Sequence, residues 1–66
     1  MHLIVNGEAY EAKPLESVTA LIEEMGIGGR PVVVVLNGEV IPAASWNARG
    51  LREGDRVELF RLVGGG

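Results

Sequence analysis

Gly64-Gly65-Gly66 is the segment of this 66-residue chain whose residue types could do chemistry. Glycine has no Cβ, so three in a row make a thin tail that can adopt backbone angles closed to other residues. Such a tail can enter a narrow channel and present the carboxylate of Gly66. That group is ionised at neutral pH and is a poor acyl donor, so it must be activated before it can react. Four extended residues from Val63 reach at most roughly 13–14 Å, at about 3.3–3.6 Å each. A partner's active site could therefore receive the tail while a folded body stays outside. No other residues assemble into a catalytic set. The chain has one histidine, His2, and no cysteine. Glu23 and Glu24 diverge around a helix. Gly26-x-Gly28-Gly29 precedes no helical pattern, so it is no phosphate-cradling loop. A catalytic centre and a metal site are therefore not expected.

The body must rest on a hydrophobic core, because no disulfide can staple it. A chain this short buries only about 60% of the surface that its unfolded form exposes. With 47% hydrophobic residues, some apolar surface is expected to remain outside, and such patches mark partner sites. The net charge is −3, and the five arginines and one lysine are scattered. That argues against nucleic acid or an anionic membrane as partner. The apolar stretch Val32 to Leu36 is too short to span a bilayer. The start of the chain does not read as a signal peptide, which points to the cytoplasm.

Leu3-Ile4-Val5 reads as a strand, Asn6-Gly7 as a hairpin turn, and Glu8 to Ala12 as the return. Val18, Leu21, Ile22 and Met25 form one apolar helical stripe. Ser17 is the expected N-cap, without a full capping box, and Gly26 is the expected stop. Four consecutive valines in Pro31 to Leu36 predict a strand covered on both faces or placed at the sheet centre. Asn37-Gly38 repeats the turn signal, and Glu39-Val40-Ile41 returns. Residues 43 to 53 are irregular, anchored by Trp46 and Leu51. Gly54-Asp55 turns the chain into a last strand, Arg56 to Val63.

This order predicts an α+β fold, a mixed sheet of about five strands wrapped over one helix, with first and last strands adjacent. That is the β-grasp arrangement, spanning residues 1–62, with 63–66 as a flexible tail. On the last strand Val57 and Leu59 are assigned to the helix side, paired with Val5 and Leu3. Phe60 and Leu62 then lie on the outer face beside Ile4 as an apolar docking patch. A bulge that inverts the faces would instead make Phe60 core. Trp46 reads as a plug over the open end of the core rather than a recognition aromatic. His2 reads as a solvated strand residue. Asp55 and Glu58 read as exposed charges or as partners for another protein's arginines.

Leu-Ile-Val-Asn-Gly-Glu at the start resembles the thiamine-biosynthesis sulfur carriers of the ThiS family, which are ubiquitin-like in fold. So do Asn37-Gly38-Glu39-Val40-Ile41-Pro42, Trp46, Leu51-x-x-Gly54-Asp55-x-Val57-Glu58 and the glycine ending. The resemblance implies that an adenylating enzyme related to ubiquitin-activating enzymes (ThiF type) attaches AMP from ATP to Gly66. Sulfur then displaces AMP and leaves a thiocarboxylate, which a thiazole synthase (ThiG type) accepts. The chain would be a consumed and regenerated co-substrate, not an enzyme, with no bound cofactor of its own. Gly65 would be the second glycine of the family's ending, and Gly64 goes beyond it. Fold and tail are shared with carriers for molybdopterin synthase, tRNA thiolation or cysteine synthesis, with lysine-attached modifiers, and with non-reactive β-grasp modules.

Overall fold

The computed structural model describes residues 1–14, 17–29 and 31–61. Five strands and one helix follow in the order β1 (His2–Val5), β2 (Glu8–Glu11), α1 (Val18–Glu24), β3 (Val32–Leu36), β4 (Glu39–Ile41) and β5 (Arg56–Arg61), with a 3₁₀ turn at Ala43–Ser45. The sheet order is β2-β1-β5-β3-β4. β1 and β5 are parallel, and their neighbours are antiparallel. First and last strands lie side by side, so the mixed β-grasp sheet read from the sequence is present.

Both hairpins turn at Asn-Gly because both central residues sit at positive φ: Asn6 at 50° and Gly7 at 81°, Asn37 at 49° and Gly38 at 85°. Those angles match the right-handed twist of the flanking strands and suit Asn and Gly above other residues. The helix begins where Ser17 Oγ accepts the Ala20 N–H at 3.2 Å. It ends in a Schellman arrangement: Gly26, at φ 72°, donates to the Glu23 carbonyl, and Ile27 donates to the Ile22 carbonyl.

The irregular segment after β4 is held by the helix. Val18 N–H donates to the Arg49 carbonyl at 2.9 Å and Thr19 N–H to the Trp46 carbonyl at 3.3 Å. These are helix N-terminal donors that have no partner within the helix. Trp46 is half-buried against the core, and its indole N–H donates to the Ile41 carbonyl at 2.9 Å. That is the plug role expected of it.

The core lies between the helix and one face of the sheet. Val18, Leu21 and Ile22 meet Leu3, Val5, Val34, Leu36, Ile41 and Val57, with Ala12 and Leu51 closing the ends. Two expectations need correcting. β5, not β3, is the central strand, and β3 is buried on one face alone: Val34 and Leu36 are buried, while Val33 and Val35 are half-buried. One helix of seven residues can cover only one side of a sheet. The parallel register places Val57 beside Val5, as expected. Because the strands run the same way, Leu59 lies beyond Val5, at Asn6, rather than beside Leu3.

Candidate functional surface

β5 carries the chain toward its glycine end, and alternation along it decides what a partner meets. Val57 is buried, and Leu59 packs against the core. Arg56 and Phe60 are exposed and Glu58 is half-buried, on the opposite face. Phe60 is 50% exposed, so the outer-face assignment holds and no bulge inverts it. Ile4, opposite Arg56 on the neighbouring strand, is half-buried on that same face. Leu62, Gly64, Gly65 and Gly66 lie outside the described residues, as does Val63.

Three further apolar residues share this face. Val33 stands opposite Phe60, Val35 opposite Glu58, and Val40 opposite Val35. Val40 is 61% exposed. A signal for them existed: a fold with one helix leaves alternate residues of a valine run on the uncovered side. The run itself hides this, because four identical apolar residues show no period of two. A groove of about 690 Å³ opens on the β1 side of β5, with Ile4, Asn6, Gly7, Leu59 and Phe60 among its walls. Arg56 and Glu58 also line it, so the surface pairs apolar contact with charges of both signs.

The remaining charged residues singled out in the sequence serve the fold. Asp55 accepts the Asn37 side-chain N–H at 3.0 Å and the Arg52 backbone N–H at 2.7 Å. Glu24 accepts the Tyr10 hydroxyl at 3.1 Å and the Lys13 N–H at 3.2 Å. Desolvation, and then the hydrogen bond and charge of Glu24, push the Tyr10 pKa up. His2 is exposed but not merely solvated: its Nε2 and Nδ1 lie 2.8 Å from Glu11 and Glu53. The backbone N–H of His2, donating to Glu53 Oε2 at 2.9 Å, holds that carboxyl below its ordinary pKa. Desolvation opposes the shift, and the His2 ring and the N-terminal ammonium reinforce it. His2 shares the outer face with Ile4, two residues along β1, with Glu11 opposite it on β2. Among the described residues there is no cluster of three or more histidine, cysteine or acidic side chains set to hold a metal. No helix among them is long and apolar enough to cross a membrane.

Against this geometry, residues 3–66 match the ThiS family. The sulfur carrier protein ThiS of Thermus thermophilus is 41% identical over 58 residues, covering 85% of this chain and 91% of that one. A crystal structure of the thiamine biosynthesis protein ThiS from Geobacter metallireducens superposes with a TM-score of 0.83 at 36% identity, covering 100% of both chains. A thiazole synthase of Paramagnetospirillum magneticum is 35% identical over the whole chain, which spans only 20% of that enzyme's length.

Proposed function

The chain belongs to the ThiS family, and from that premise we propose that it is the sulfur carrier of thiazole formation in thiamine biosynthesis. It acts as a co-substrate whose chemistry is performed by partner enzymes. The observation that carries this reading is the match to ThiS proteins along the whole fold, from the first Asn-Gly hairpin to β5.

The working group is the carboxylate of Gly66. One of its oxygens attacks the α-phosphorus of ATP on an adenylating enzyme of the ThiF type, forming a C–O–P link and releasing pyrophosphate. A sulfide-level nucleophile then attacks the carbonyl carbon. The C–S bond forms, the C–O bond to phosphorus breaks, and AMP leaves with its electron pair. Gly66 is left as a thiocarboxylate, and sulfur transfer to a thiazole synthase of the ThiG type consumes it. Gly64 and Gly65 keep the approach narrow enough for both enzymes, because neither carries a Cβ. Phe60 and Ile4 on the outer face, with Leu62 next along the chain, dock the folded body. The similarity to part of a thiazole synthase supports that enzyme as a partner.

Growth of a thiamine-requiring strain that lacks its own ThiS tests the reading. The chain ending at Gly66 restores growth without added thiamine, and the same chain shortened by Gly65 and Gly66 does not. Equal growth with both forms would overturn it.

A further inference from the structure

Asn6 does more than turn the first hairpin. Pairing between β1 and β5 ends at Val5 and Val57, whereas β3 accompanies β5 as far as Arg61. From Leu59 onward, β5 would be held on one side only. Asn6 closes that gap. Its backbone N–H donates to the Val57 carbonyl at 2.9 Å, and its side-chain Oδ1 accepts the Leu59 N–H at 2.8 Å. The carboxamide oxygen stands where the next carbonyl of a longer β1 would stand. The left-handed backbone at φ 50° lets the chain leave for β2 while the side chain continues the ladder. Leu59 immediately precedes Phe60, and Asn6, Leu59 and Phe60 wall one groove.

We propose that Asn6 is a positioning residue for the carrier reaction: through Leu59 it fixes Phe60 and the direction in which β5 leads toward the glycines. The proposal rests on the carrier reading above. Asn37 supplies the internal comparison. It also starts an Asn-Gly turn, and its Oδ1 accepts the Arg56 N–H at 2.9 Å, but at the opposite end of β5. Both side chains brace the same strand, but Asn37 does so at its first residue, four positions before Phe60, whereas Asn6 does so at the residue that adjoins Phe60.

Pyrophosphate release from ATP by a ThiF-type enzyme, with sulfide present, reads the effect in kcat and KM. The wild-type chain, Asn6→Gly, Asn6→Ala, Asn6→Asp and Asn37→Gly are compared at a temperature where circular dichroism shows each folded. Glycine keeps the turn and removes the oxygen. Alanine also offers no acceptor but lacks glycine's freedom at the left-handed position, so the result does not depend on one variant alone. Aspartate keeps the acceptor. Asn6→Gly and Asn6→Ala lower kcat/KM about tenfold, a size ordinary for misplaced reacting groups. Asn6→Asp and Asn37→Gly stay within about twofold of wild type. Amide exchange at Leu59 speeds up in the first two variants and not in Asn6→Asp. Faster Leu59 exchange with unchanged kcat/KM would overturn the positioning role, as would failure of Asn6→Asp to rescue. A wild-type chain that gives no turnover would remove the carrier reading and this proposal together. Equal turnover by wild type and Asn6→Gly would remove the positioning role alone.

Discussion

Consecutive residues of the same strands meet different fates on the two faces of this sheet. Leu3, Val5, Val34, Leu36 and Val57 point at the helix and are buried, while Ile4, Val33, Val35, Val40 and Phe60 alternate with residues of that inner set, or extend it, on the other face and remain partly or largely exposed. Both faces are rich in aliphatic side chains. What separates them is the supply of covering structure, since the single helix supplies Val18, Leu21 and Ile22 to one side only. Apolar area on the inner face contributes to folding. Apolar area on the outer face is left for association, where a few central residues dominate binding.

Substitution on the inner face carries the largest expected effect. Leu21 is fully buried, and Leu21→Ala should cost about 2–5 kcal/mol in denaturant unfolding. A chain of this size holds roughly 3–10 kcal/mol in all, so a large part of the population unfolds. A loss below about 1 kcal/mol would mean that the core is not centred on that helix. The outer face should give the reverse pattern. Phe60→Thr keeps a strand-favouring side chain and should leave the unfolding midpoint almost unchanged. Binding to the adenylating enzyme, followed by calorimetry, should weaken about tenfold. Unfolding of Phe60→Thr, or unaltered affinity, would erase the distinction between the faces.

Much of this contrast was legible from residue types. The Asn-Gly pairs announce positive φ, the i, i+3, i+4, i+7 spacing of Val18, Leu21, Ile22 and Met25 announces a helix with one apolar stripe, and Gly26 announces its end. Alternation from Val57 puts Phe60 on the outside, where it is exposed. The valine run concealed Val33 and Val35, because a face can be read only from contrast between neighbours. The offset of Leu59 from Leu3 was not legible either, since register between parallel strands far apart in sequence is set by tertiary packing. The same holds for the side-chain ties of Asn6 and Asn37 to β5. Their turn-forming role is local, but their second partners lie 53 and 19 residues away.

Smaller effects are expected where the helix that covers the inner face begins. Ser17→Ala removes the acceptor for the Ala20 N–H and should cost about 1 kcal/mol, because the helix that covers the inner face starts there. A loss of less than a few tenths would assign that start to the Arg49 and Trp46 carbonyls instead. The smallest effect is at the start of β1, where Glu53 meets His2. The pKa of Glu53 is lowered in the folded state, so its contacts contribute stability above the unfolded carboxylate pKa and lose it as pH falls through the folded value. The melting temperature of the wild type should therefore fall more steeply than that of Glu53→Gln as pH drops into and below the carboxylate range. Parallel profiles would contradict the His2 contact as its source.

The carrier function depends most on what happens at Gly66, and intact mass measures it directly. The chain ending at Gly66 is incubated with ATP, sulfide and a ThiF-type enzyme already shown to convert another ThiS protein. The mass should rise by the difference between one sulfur and one oxygen atom, and fragmentation should place the change on Gly66. An unchanged mass under those conditions, or a change placed elsewhere in the chain, would contradict the carrier function.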